Sequence, residues 1–280
     1  MNVYNKLSVF LMLISLLSCE DVPDFNQEES KPVVEAYIYE GEPVNQVYIK
    51  KTIPYVSGEY EEEGVEYIND ANVILTHNEQ DYMLLPMEED GRYFYDGTDL
   101  EIQTEEEYEL SFTYEGELIS STTMIPDLPE NVAISNDEIY IPQINSIQEL
   151  ANFQNYFEDT VDISWNNPDN SYYYIVIENL EDNPEPINTT EFIEDFEANF
   201  EFTTAPTQLD FLILTPLVHF TQFGMHKVTI YSVNEEYIRL YESMQQDSRD
   251  LAEPFTNINN GLGIFTGFSS DVVYFNVIQE

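Results

Sequence analysis

The sequence predicts a mainly β protein: two β-sandwich domains, with one amphipathic helix near the C-terminus. Three observations predict it. Short runs rich in β-branched and aromatic residues recur along the chain with turn residues between them, which is the signature of sandwiches rather than of βαβ units. The stretch Ile125–Asn131 (IPDLPEN) carries two prolines and no periodicity, and it divides the runs into two groups. One later stretch, residues 235–250, places its apolar residues at helical spacing. Hydrophobic residues make up 42% of the 280, with 21 Tyr and 17 Phe, so a sizeable core can form and disorder is a poor description of most of the chain.

The amino-terminal segment comes first. Met1–Lys6 is polar with one positive charge, and Leu7–Leu17 (LSVFLMLISLL) has no charge at all. A membrane-spanning helix needs about 20 apolar residues, so this run is too short to span; it has the length and flanks of a secretory signal peptide. It closes as Leu16-Leu17-Ser18-Cys19, and Cys19 is the only cysteine. The segment resembles the lipobox of bacterial lipoprotein precursors, which implies cleavage between Ser18 and Cys19 and acylation (palmitate) of the Cys19 thiol. One acyl chain anchors only marginally, whereas several hold stably. With no thiol left for a disulfide, the fold must stand on its core. The expected layout is a signal peptide over 1–18, a flexible tether over 19–31 (EDVPDFNQEESK after the cysteine), and sandwich domains over 32–126 and 127–280.

Charge narrows the function classes. There are 55 acidic residues against 8 basic ones, a formal charge of −47, and loss of Lys6 with the signal takes it to −48. Phosphate binding needs clustered Lys and Arg, so nucleic acid is excluded as a partner. Three readings of the acidity stay open: a solvated surface favouring solubility, adaptation to saline surroundings that screen self-repulsion, and binding of divalent cations.

In the first half the expected strands are Val33–Tyr39, Val47–Thr52, Ala71–His77, Asp81–Leu85, Arg92–Tyr95, Tyr108–Tyr114 and Leu118–Met124. Tyr108, Leu110, Phe112 and Tyr114 alternate and should share one face. In the second half come Thr160–Trp165, Tyr172–Ile177, Phe211–Leu214, Lys227–Val233 and a terminal strand Val272–Ile278. Trp165, the only tryptophan, ends a strand before a Pro-containing turn and an aromatic strand. That is the pattern of a fibronectin-type-III-like sandwich, and it assigns Trp165 to core packing. Asn234 stands in N-cap position before Glu235 and Glu236, acids suited to a helix N-terminus. Tyr237, Tyr241, Met244 and Leu251 then fall on one face, with Leu240 beside them.

No motif announces catalysis or a cofactor. His77, His219 and His226 do not stand at metal-ligand spacing, and no GxSxG occurs. Carboxylate pairs could serve a glycosidase, yet with so many acids chance pairs are certain. Asp96–Asp99 and Glu88–Gly91 do not match an EF-hand loop and read as strand turns. Asn260–Phe265 (NGLGIF) lacks the Lys-[Ser/Thr] ending of a phosphate loop, so its glycines are expected to permit a bulge or close backbone approach.

Several segments together resemble the outer-membrane lipoprotein family known as domain of unknown function 4249. They are PVVEAYIYEGEP (Pro32–Pro43), INDANVILTH (Ile68–His77), DGRYFY (Asp90–Tyr95), TTMIP (Thr122–Pro126), SVNEEYIRLYESMQQ (Ser232–Gln246) and NINNGLGIFTGFS (Asn257–Ser269). The resemblance implies an immunoglobulin-like domain followed by a fibronectin-like one, no established catalytic residues, and genes beside TonB-dependent outer-membrane receptors. It therefore implies a non-catalytic lipoprotein on the outer membrane, facing the cell surface or else the periplasm, that assists such a receptor or captures its nutrient ligand. The alternatives are a structural or adhesive envelope lipoprotein and a hydrolase with an unrecognised carboxylate pair.

Overall fold

A computed structural model describes residues 30–53, 65–153, 159–190, 201–245 and 254–280. Ser18, Cys19, the expected signal peptide and most of the expected tether lie outside them. The described residues are mainly β and form two sandwiches.

In the first sandwich, strands β1 (Pro32–Tyr39), β2 (Gln46–Lys51), β3 (Glu66–Tyr67) and β6 (Arg92–Phe94) make one layer. Strands β4 (Val73–His77), β5 (Gln80–Pro86), β7 (Glu107–Tyr114) and β8 (Glu117–Met124) make the other. Strand β5 turns the corner, pairing Val73–His77 along most of its length and Phe94 and Tyr93 at its end. The alternation expected on β7 holds: Tyr108, Leu110 and Phe112 are buried between the layers with Val34, Ala36 and Ile38 from β1. Two of the quoted segments lock together here. The buried Tyr93 hydroxyl donates to the Ile68 carbonyl at 2.8 Å and accepts from the Ala71 amide at 3.1 Å, while Asn69 Oδ1 accepts from the Gly91 amide at 2.7 Å.

The second sandwich sets a three-stranded sheet, β9 (Glu130–Ile134), β11 (Val161–Asn166) and β14 (Phe211–Leu214), against β10 (Glu138–Ile141), β12 (Tyr172–Asn179), β13 (Glu201–Thr203) and β15 (Gly224–Val233). Trp165 is buried between them and meets Tyr173 edge-on at 5.5 Å, in the packing role assigned to it. A short helix α1 (Ile147–Asn152) has no counterpart in the sequence reading.

Strand β16 (Leu262–Gln279) joins the two. Its first part runs parallel to β1, from Val33↔Leu262 to Tyr39↔Phe268. Its second part runs antiparallel to β15, from Phe268↔Val233 to Val277↔Gly224, and its end pairs with β10. Only residues 272–278 of it are legible as a strand in the sequence. The first core also takes in Ile258 and Phe265, residues that follow the whole second sandwich in the chain. The two cores are therefore not two consecutive stretches divided at 126/127. The C-terminal segment returns to complete the first one.

The expected helix is present as α2 (Glu235–Met244), and residues 246–250 of the expected span lie outside the described residues. Its inward face differs from the expected one: Ile238 is the buried residue, and Met244 is 76% exposed. Leu251 lies outside the described residues. The face is recentred because α2 packs on Phe268 and Val233 through Ile238 and Tyr237 rather than through its C-terminal end.

Candidate functional site

The joint between the sandwiches is built around one hydroxyl. Thr123, near the end of β8, donates to Glu236 at 2.8 Å and accepts from the buried Gly267 amide at 3.1 Å. It also accepts from the Asn234 side-chain amide at 3.2 Å, and that amide reaches the Met124 carbonyl at 2.6 Å. Asn234 occupies the N-cap position of α2, but its side chain makes no capping bond. It is spent on crossing to β8 instead. Gly267 lets the strands meet: a Cβ there would stand 2.5 Å from Ile125 Cδ1. Gly263 has φ +98° and leaves no room either, since a Cβ would stand 2.0 Å from the Val34 carbonyl oxygen. These close approaches are the use expected for the glycines of NGLGIFTGF.

Asparagines complete the closure. Asn257 brackets Phe265, donating to its carbonyl at 2.7 Å and accepting its amide at 3.0 Å. Asn260 donates to the Leu118 carbonyl at 2.9 Å, and the Asn259 amide to the Ser120 carbonyl at 2.8 Å. Residues 257–260 thus lie along the otherwise open edge of β8, where unpaired strand groups would invite non-native pairing.

Beside α2 the joint leaves a cleft of about 590 Å³. Its walls include Ile125, Asp127, Tyr172, Tyr173, Ile238 and Arg239. The Arg239 guanidinium lies over the Phe255 ring at 4.2 Å, so the base in this cleft is already engaged on an aromatic face.

The sheet face packed against α2 also carries a ladder of tyrosines. Register explains it: Tyr39 pairs with Phe268, Phe268 with Val233, and Tyr231 with Tyr174, which brings side chains from β1, β16, β15 and β12 onto one sheet face. Tyr237 joins from α2. The Tyr174 ring stacks on Tyr231 at 4.7 Å and on Tyr237 at 5.5 Å, and Tyr39 stacks on Phe268 at 5.0 Å. Tyr174, Tyr231 and Tyr237 meet Phe268 edge-on, with interplanar angles of 85°, 79° and 80°. Such offset and edge arrangements suit the ring quadrupoles. Phe268 is fully buried and serves as the floor, while Tyr37, Tyr39, Tyr174, Tyr231 and Tyr237 are only partly covered. Burial raises the pKa of these phenols: it pushes Tyr37 up to about 12, with Glu35 adding to the rise. Burial, then neighbouring phenols, raises Tyr39 and Tyr174 as well, and burial, then Glu42, raises Tyr231.

The three histidines are apart from one another and packed. His77 stacks on Tyr108 at 4.4 Å. His219 Nδ1 accepts from the Thr215 amide at 3.0 Å, and desolvation lowers its pKa. His226 is 2% exposed, stacks on Phe275 at 4.9 Å, and is held by burial down to about 4. The two acidic turns weighed as cation sites are tied into the protein: Tyr95 donates to Asp99 at 2.6 Å, and Asp90 accepts from the Arg92 amide at 3.1 Å. Among the described residues no group of three or more His, Asp or Glu is placed to hold a metal ion.

Residues 20–272 match the family described as Domain of unknown function (DUF4249). The chain belongs to the DUF4249 family. A search of curated proteins finds no match. Among solved structures, titin domains A168–A170 are similar at 10% identity and a TM-score of 0.21, over 90% of this chain and 66% of the titin chain. In this DUF4249 protein the segments that carried the resemblance do structural work. TTMIP, SVNEE and GIFTGF meet at Thr123, Asn234 and Gly267, and INDAN meets DGRYFY at Asn69 and Tyr93. The tyrosine ladder is not legible as a unit in the sequence. Each strand showed its aromatics, but only the pairing of β1 with β16 and of β15 with both β16 and β12 places them side by side.

Proposed function

We propose that this DUF4249 protein is a non-catalytic binding module, anchored to the outer membrane through acylated Cys19, that assists a TonB-dependent receptor and helps present its nutrient substrate. The observation that carries the binding part is the partly covered tyrosine ladder straddling both sandwiches. Tyrosine is enriched at protein interfaces because it supplies large amphipathic contact area, and rings already stacked on one another lose little freedom on binding. The tether supplies the rest of the argument. About a dozen residues between Cys19 and Pro32 span at most roughly 40 Å, so the partner must sit in or near the same membrane. Weak contacts then suffice, since short linkers raise effective concentration towards roughly millimolar.

A structural or adhesive envelope role is the alternative, favoured by the single strand that ties the two sandwiches into one body. Affinity purification from gently solubilised outer membranes, paired with protease shaving of intact cells, separates the two. Recovery of a receptor with a protease-sensitive body supports the accessory role. No receptor, with full protection, rejects it in favour of a periplasm-facing structural lipoprotein.

A further inference from the structure

We propose that the tyrosine ladder recognises an arginine-bearing segment of a partner protein. The inference rests on the binding role above and names the chemistry of the contact. Three features of the face point to a guanidinium rather than to an anion or a second copy of this chain.

The first is charge. Two of the carboxylates near the ladder are matched within the protein: Glu35 by Lys50 at 2.6 Å and Glu178 by Lys227 at 3.3 Å. Among the described residues neither Glu42 nor Glu201 has a cation within ion-pair reach; Glu201 accepts only from the Thr203 hydroxyl, at 3.4 Å. Glu42 follows β1, its amide donating to the Tyr39 carbonyl at 3.2 Å, and Glu201 pairs with Glu178, which shares the Tyr174 face of β12. A second copy, with its own charge of −47, would be repelled.

The second is the hydroxyls. The Tyr37, Tyr39, Tyr174 and Tyr237 oxygens make no hydrogen bond to any described residue, although their rings pack in one partly buried cluster, with Tyr174 stacked on Tyr237 at 5.5 Å. Neutral phenol oxygens beside carboxylates form a set of acceptors, and a guanidinium offers five donors in one plane with a face that stacks on aromatic rings. An ammonium is a compact, strongly hydrated charge and fits such a set less well.

The third is that this protein already makes the contact on the same sheet face. Tyr48 is the cross-strand partner of Glu35, and the Arg92 guanidinium lies over its ring at 5.8 Å. Such pairs are worth more as they are desolvated.

The test uses the full-length lipoprotein in detergent and, as probe, a blocked hexapeptide alternating arginine with glycine, beside its lysine counterpart. Binding is followed by calorimetry in about 0.15 M salt. The arginine peptide should bind about tenfold more tightly than the lysine peptide. Tyr174→Leu, which keeps an apolar side chain over Phe268, should remove that preference, and Glu42→Gln with Glu201→Gln should weaken both peptides several-fold. Equal binding of both peptides, unchanged in Tyr174→Leu, would show general attraction to an acidic surface and overturn the proposal, as would no binding at millimolar peptide. Receptor capture by the wild-type protein is scored separately: capture without peptide preference defeats this inference and leaves the accessory role standing, whereas peptide preference without capture does the reverse.

Discussion

Acid should weaken this protein through one buried ring. His226 sits on β15 with its ring stacked between neighbours in the second core, on Phe275 at 4.9 Å and edge-on to Phe220 at 5.8 Å. Its Nδ1 faces the Gly224 carbonyl at 3.0 Å, which can only accept, so Nδ1 carries the proton and Nε2 is left to accept from Asn179 at 3.4 Å. A second proton has no solvated place to go, and burial depresses the pKa to about 4 against a small opposing pull from Gly224 and Glu181. In the unfolded chain the ring titrates near its ordinary value of about 6.5. Between those two values the unfolded state binds the proton and the folded state does not, so stability falls as pH falls. At about 1.4 kcal/mol per unit, the loss is about 3 kcal/mol by pH 4. Carboxylates titrate over part of the same range and relieve self-repulsion, so the histidine must be isolated by difference. Urea unfolding, followed by the fluorescence of Trp165 in the same core, should be run on wild type and His226→Gln from pH 7.5 to 4.5. The variant is less stable at pH 7.5, and the gap between the two should shrink by about 2–3 kcal/mol across the series. Parallel curves would refute the reasoning, because they would mean the ring accepts its proton in the folded state as readily as in water.

Four further outcomes are expected. Gly263→Ala should cost about 3 kcal/mol or more in urea unfolding, because its positive φ and the Val34 carbonyl at 2.0 Å from a Cβ leave no accommodation without moving β1; a loss under 1 kcal/mol would mean the strands can part. Thr123→Val should cost about 1–3 kcal/mol by leaving the buried Gly267 amide without its acceptor, and an unchanged midpoint would deny the hydroxyl its role. Raising salt from 0.05 to 0.5 M should raise the melting temperature, since it screens a formal charge of −47; a fall would remove self-repulsion as the main liability. Cys19→Ala should leave unprocessed precursor and abolish labelling by a fatty-acid analogue, and persistent labelling would place the anchor elsewhere.

What the sequence could and could not disclose follows from how each element is buried. Strands with one wet face, such as β7 and β12, alternate, and their runs read directly. The first half of β16 does not. Ile264 through Ser269 are buried on both faces, so IFTGFS shows no period of two, and its glycines suggest a loop until the neighbours they admit are known. Strands β9 and β13 bury no residue fully, so they carry no inward stripe to be read. Helix α1 did carry a signal, the capping box Ser146-x-x-Glu149: Ser146 accepts from the Glu149 amide at 3.3 Å, and Glu149 returns to the Asn145 amide at 2.7 Å. Its sequence lacks a buried stripe to accompany the cap. The joint and the ladder depend on contacts between residues more than a hundred positions apart, as from Thr123 to Glu236, and no local pattern encodes those. The glycine spacing of the C-terminal segment alone hinted that backbones would come close there.

The pairing of β1 with β16 also decides how the protein answers a pull. Residue Pro32, where the chain leaves the expected tether, begins β1, and β1 lies parallel to β16 with seven residues in register from Val33↔Leu262 to Tyr39↔Phe268. If a partner grips the ladder while the tether is drawn towards the membrane, the force runs along the strand axis, and the inter-strand bonds are sheared together instead of being peeled one at a time. Strand β16, about 60 Å long at the usual rise, pairs first with β1 and then with β15, and Tyr174 is level with Ser270 near its middle. The end that leads to the expected tether and the tyrosine face therefore belong to one continuous sheet, and a single-molecule pull between residue 30 and Tyr174 should meet one high rupture force rather than two low ones.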